Sequence, residues 1–215
     1  MIQLSHFLVA VALCGLAIFV WRANRASAVH RWFAAYALAG SGWVTGLAAW
    51  GSGHYLDIAV GVTFGSGILI PAAFFGLISY YPSPSRCPSR TTVRVIAAIS
   101  LVFTFCSLAT PLIVHDPSVT SEGLARETGP LYPLFVLYFI AVYCAAVGML
   151  ITKWRRARGL ERAQLTYLGV ALVIPAAGAM VTNLLLPFAT GRSTYSWAGP
   201  YFALAFVGIV AHAII

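Results

Sequence analysis

"LYPLFVLYFIAVYCAAVGMLITKWRRAR", residues 131–158, runs from Leu131 to Thr152 without a charge and then places Lys153, Arg155, Arg156 and Arg158 within six residues. Crossing a bilayer core as a helix takes about 20 apolar residues at about 1.5 Å each, and 131–152 meets that length. Lipid offers backbone N–H and C=O groups no partner, so a spanning segment must be a helix or a closed barrel strand. The apolar/polar alternation of barrel strands is absent here. The stretch therefore reads as a transmembrane helix with one end fixed by cations.

Working outward, six more stretches repeat the pattern: 3–21, 32–51, 58–80, 93–114, 164–187 and 198–215. The predicted fold class is an all-α membrane protein, a seven-transmembrane helix bundle forming one domain over 1–215. Composition agrees: 60% of residues are hydrophobic and 8% charged, against about a quarter charged in soluble domains. Such a chain cannot cover its surface with polar groups. The N-terminal apolar run carries its positive charge after it, at Arg22 and Arg25, whereas a cleavable signal has it before, so the run reads as a retained first span.

The net charge of +8 would suggest nucleic acid in a soluble protein, but here the cations cluster between spans and read as a topology signal, so no nucleic-acid partner is expected. Connections 1–2, 3–4 and 5–6 hold Arg22, Arg25, Arg31, Arg86, Arg90, Arg94, Lys153, Arg155, Arg156, Arg158 and Arg162; the other side has Arg126 and Arg192. The richer side is predicted to be cytoplasmic, with the N-terminus outside and the C-terminus inside, in a multi-pass inner (plasma) membrane protein. Trp21, Trp32, Tyr80, Tyr81 and Trp154 then make an inner aromatic belt, and Trp50, Tyr55, Tyr132, Tyr195 and Trp197 an outer one. The last stretch ends without the cytoplasmic Arg or Lys of the other inward-going spans, which predicts that the chain continues past Ile215.

Several chemistries are disfavoured. Retinal needs a lysine buried in the last helix, and the single lysine, Lys153, ends helix five. Haem needs two histidines at similar depth, but His6 and His212 lie near opposite faces, and His30, His54 and His115 lie in or beside loops. No Asp or Glu sits in a span core, where proton-coupled carriers keep theirs. Cys14, Cys87, Cys106 and Cys144 lack metal-ligand spacing. The expectation is therefore no catalytic residues, no metal and no cofactor.

The polar groups left inside the spans are soft. Asn183, just ahead of Pro187 in "VTNLLLPF", should point into the bundle, either fastening helix six to a neighbour or lining an outward-opening cavity. The longest outer connection, "HDPSVTSEGLARETGP" at 115–130, reads as a solvated turn or as a cap over an outer pocket. "GVTFGSG" offers a Gly61-x-x-x-Gly65 face for close helix packing, inside the bundle or against a foreign helix. "KWRRARGLERAQ" reads as an anchor to anionic lipid or as a contact for a cytoplasmic domain.

Three stretches together resemble one family. They are "RAQLTYLGVAL…TNLLLP" through helix six, "SWAGPYFALAFVGIVAHAII" at helix seven, and "NRASAVHRWFAAYALAGSGW" entering helix two, the last with Arg25 where the family commonly has proline. They are similar to the N-terminal seven-helix sensor region of bacterial membrane-bound histidine kinases. The resemblance implies a sensor detecting an extracellular or membrane-dissolved small ligand, with a cytoplasmic kinase module in the same chain, a homodimer at full length, and a diguanylate cyclase as an alternative output. Candidate ligand-lining residues are Thr63, Tyr132, Tyr138, Asn183 and Tyr201, among helices three, five, six and seven; His212, near the exit of helix seven, is the candidate relay. A small uncoupled transporter or channel is the competing reading.

Overall fold

The computed structural model describes residues 2–83, 88–120, 123–186, 189 and 196–214. Among them the chain forms α1 (Ile2–Ala23), α2 (Ala28–Gly51), α3 (Leu56–Tyr80), α4 (Arg90–Ala109), strands β1 (Val114–Thr120) and β2 (Gly123–Thr128), α5 (Tyr132–Arg156), α6 (Gly159–Met180) and α7 (Gly199–Ile214). Each predicted helix is present, with ends shifted by a few residues. Four helices, α1, α3, α4 and α5, are long and apolar enough to cross a membrane. The chain is a helical membrane protein.

Helix starts follow local chemistry. Ser27 accepts the His30 N–H to cap α2, and Ser89 accepts the Thr92 N–H to cap α4, filling donors that a helix leaves open. One boundary departs from expectation: α4 was predicted to run to residue 114 but stops at Ala109. Thr110 precedes Pro111 and is extended, at φ −144° and ψ 155°, as the proline ring demands of its predecessor. The next residues enter a strand instead.

α3 is the central rod. It packs against α2, α4 and α5, and it carries β1 at one end. Its buried positions go all the way round, from Ala59 to Ser79, as expected of a helix enclosed by others. α4 is its opposite, burying only Val93, Ser100 and Phe103 and presenting Leu101, Val102, Phe105 and Leu108 outward. In a membrane that outward face meets lipid.

Close approach explains the small residues. A side chain on Gly46 would run into the Thr63 hydroxyl and backbone, so α2 and α3 touch backbone to backbone there. Gly61 and Gly65 face α4, where Ser107 donates to Gly61 O (3.1 Å) and Thr104 to Gly65 O (2.8 Å). The Gly-x-x-x-Gly face thus packs inside the bundle, not against a foreign helix.

α7 packs against α6, α1 and α2. Mid-bundle, Phe206 of α7 meets Tyr36 of α2 (ring centroids 5.0 Å) and Phe74 of α3 (6.3 Å), and Phe74 stacks on Tyr143 of α5 (5.8 Å). One aromatic cluster therefore joins four helices. α6 gives way to a π-turn at Val181–Leu185, just ahead of Pro187, whose missing N–H would leave an α-helical carbonyl without its partner.

Candidate functional site

The connection between α4 and α5, read from sequence as a solvated turn or a cap over an outer pocket, contains two paired strands. β1 and β2 pair antiparallel, with Val114 opposite Thr128 and His115 opposite Glu127. The hairpin lies against α3 and touches α2, and it brings one cation to the apolar end of the bundle.

That cation is Arg126. Its guanidinium carbon lies 4.7 Å from the Phe64 ring centre, 5.7 Å from that of Tyr132 and 5.8 Å from that of Trp50. Nη2 also donates to the Tyr132 hydroxyl at 3.1 Å. The rings come from three helices: Trp50 from the last turn of α2, Phe64 from α3 and Tyr132 from the first turn of α5. Trp50 and Tyr132 are each 1% exposed. Ring faces attract a cation by about 0.5–1 kcal/mol when exposed and about 2 kcal/mol or more when desolvated. The indole N–H of Trp50 is buried there without a hydrogen-bond partner among the described residues.

From this box an aromatic path leads inward. Tyr132 stacks on Phe135 (6.1 Å), Phe135 meets Phe103 of α4 (6.1 Å), and Phe103 meets Tyr138 (5.3 Å). Tyr138 donates to Ile96 O (2.7 Å) and pairs with Ser100 Oγ (3.0 Å), so its phenol is tied to α4.

The candidate residues divide accordingly. Tyr132 and Tyr138 belong to one aromatic path. Thr63 is buried at the α2–α3 contact, donating to Ala59 O (2.7 Å), although its neighbour Phe64 is in the box. Tyr201 lies elsewhere, at the α1–α7 contact, where its hydroxyl pairs with Ser5 Oγ at 2.7 Å. His6 supports that second corner through Trp197 O (3.1 Å). Asn183 falls in the π-turn, and its side chain lies outside the described residues. His212 is exposed near the end of α7.

Arg126, Trp50 and Phe64 were not singled out as a site from sequence. Trp50 stood only as a belt aromatic and Arg126 only as an exception to the cation count, whereas Tyr132 was both a belt aromatic and a candidate ligand-lining residue. That exception was the available signal: an arginine on the cation-poor side needs a local reason to be there.

At the other end of α5, Lys153 Nζ donates to Ile78 O (2.7 Å), Tyr81 O (2.9 Å) and Ser83 O (2.8 Å), closing the C-terminus of α3. Trp154 donates to Thr166 of α6 (2.8 Å), under the Arg162 guanidinium (4.7 Å).

No curated protein matches the chain. Residues 5–212 match the family described as the N-terminal 7TM region of histidine kinase. The chain belongs to that family, and this region of a histidine kinase is non-catalytic.

Proposed function

We propose that this member of the histidine-kinase 7TM family is a transmembrane sensor whose ligand acts at the hairpin end of the bundle. All seven helices span, with the hairpin outside and the Lys153 end in the cytoplasm, as the cation count favours. The ligand is a small molecule from the exterior or dissolved in the outer leaflet, and the membrane is the inner (plasma) membrane. A kinase module in the same chain receives the signal from α7, and the full-length protein works as a homodimer.

The family match over residues 5–212 carries this reading; the hairpin gives it a mechanism. A ligand shifts an equilibrium only by binding its two states unequally. The two states here differ in whether Arg126 sits among Trp50, Phe64 and Tyr132. A ligand that favours the open box releases the hairpin, and α3 and α5 readjust around Phe64 and Phe135. The cluster of Phe74, Tyr143 and Phe206 passes that change to α7 as a small shift along its neighbours, with His212 near the cytoplasmic exit. Tyr138 and Thr63 back the box on its α4 and α2 sides. Asn183 and Tyr201 belong to the α6 and α7 half that must move.

The test uses the full-length protein in proteoliposomes. Arg126→Ala is expected to change basal phosphotransfer without ligand, whereas Arg192→Ala leaves it unchanged. Unchanged output in Arg126→Ala, or solute flux through the wild-type protein, would sink the sensor reading in favour of a transporter or channel. Labelling of a cysteine placed at residue 158 from outside intact cells would overturn the orientation.

A further inference from the structure

The hairpin has a second face. In a regular strand, successive side chains alternate sides, so Arg126 points into the ring box while Glu127 points away from it. Glu127 is the register partner of His115. The register breaks between His115 and Ser118, and Asp116 takes a left-handed φ of 48°. This bulge brings Asp116, which would otherwise face away, to the side of His115 and Glu127.

The outcome is a convergence of ligand atoms. His115 Nδ1 lies 2.7 Å from Asp116 Oδ2 and 3.9 Å from Glu127 Oε2, and one ligand atom from each residue lies within 4.8 Å of the others. The whole chain has five acidic residues and five histidines against a net charge of +8. Two of those acids and one of those histidines meet at this point, on a hairpin of 13 described residues (7 + 6). Asp116 is within hydrogen-bonding distance of His115 Nδ1 and Glu127 lies just beyond it, so an imidazole and two carboxylates converge on one point. Arg126, the basic side chain next in sequence, is turned to the opposite face.

We propose that His115, Asp116 and Glu127 bind a divalent first-row transition cation. One imidazole and two carboxylates suit zinc- or manganese-type ions rather than the thiolate-seeking ones. Bonds of about 2.1 Å in a tetrahedral set put ligand atoms about 3.4 Å apart, between the two separations observed, with a position left for water. The ligands come from both strands, so the ion clips β1 to β2 one residue away from Arg126. Binding at this site is independent of the sensor reading; only its effect on Arg126 rests on that reading. Sequence spacing could not reveal the set, because strand register and a bulge assemble it.

The experiment titrates Co2+, with Zn2+ as competitor, into the purified protein in lipid nanodiscs, reading visible absorption and the melting temperature. One saturable Co2+ per chain is expected, displaced by Zn2+, with the melting temperature raised. His115→Gln and Glu127→Gln should each weaken it by at least about tenfold, a loss that even an outer-shell partner can cause. Both positions lie on the hairpin's outward face, so the variants should keep the metal-free melting temperature; Asp116→Asn serves if either does not. Absence of saturable binding at millimolar Co2+, or binding in both variants as tight as in the wild type, overturns the site. So does hairpin amide protection that rises on acidification but ignores the metal, which assigns the cluster to a proton on His115. Trp50 fluorescence is recorded in the same titration. Metal binding that leaves it unchanged keeps the site and removes the coupling to Arg126.

Discussion

Arg126, held against Tyr132 in the first turn of α5, and Lys153, about 32 Å further along that helix from Tyr132 at 1.5 Å per residue, are held in different ways. Lys153 is met by backbone carbonyls at the end of α3, where the helix dipole is negative and cations are stabilised. Those carbonyls would otherwise be open, so the lysine and the helix end satisfy each other. Arg126 is met by ring faces as well as by the Tyr132 hydroxyl, and ring faces attract a cation without a fixed hydrogen-bond direction. The carbonyl cradle reads as a fastening and, on the sensor proposal, the ring box as a catch. On that proposal, one end stays assembled and the other responds.

The comparison can be broken by removing each cation. Lys153→Met is expected to destabilise most, by about 2–3 kcal/mol, since hydrogen bonds to a charged donor are the stronger kind and the α3 carbonyls lose their partner. Thermal unfolding in nanodiscs measures it, and a loss smaller than that of Arg126→Ala would reverse the assignment of fastening and catch. Arg126→Ala is expected to cost about 1–2 kcal/mol, with faster amide exchange in residues 114–128 and little change around Tyr81. Tyr138→Phe, which removes the ties to Ile96 and Ser100 while keeping the ring, should cost about 0.6–1 kcal/mol. Tyr201→Phe should cost least, a few tenths of a kcal/mol or about 0.6 at most, because the Ser5 contact is exposed. If Tyr201→Phe proved costlier than Tyr138→Phe, the α1–α7 corner would be a second fastening.

What was legible in the sequence was what lipid enforces. Charge-free runs such as 131–152 admitted only helices, and the cations beyond them marked the ends. Proline and glycine were legible in part: Pro111 ended α4, as its effect on Thr110 requires, although the apolar run alone had carried the helix to 114. The hairpin was hidden because Asp116, Pro117, Ser118 and Gly123 are turn-forming types. Its strands persist by pairing with each other and resting on α3, which no local signal reports. The ring box was hidden for a similar reason. Trp50, Phe64, Arg126 and Tyr132 are scattered in sequence, and each alone reads as interface decoration or core. Tyr138 and Tyr201 stood out in the sequence as polar groups among apolar ones, but which neighbour each would bond depends on helix order around α3.

On the sensor proposal, the Lys153 cradle also limits which parts can travel. By pinning the end of α3 to α5, it turns those two helices, with α4 alongside, into a stator. α6 leans chiefly on α7 and is tied to α5 by the Trp154–Thr166 bond, so on the sensor proposal the seam between α5 and α6 is the expected slip plane. Torque delivered at the hairpin would be taken up there, and the α6–α7 pair would turn as the rotor.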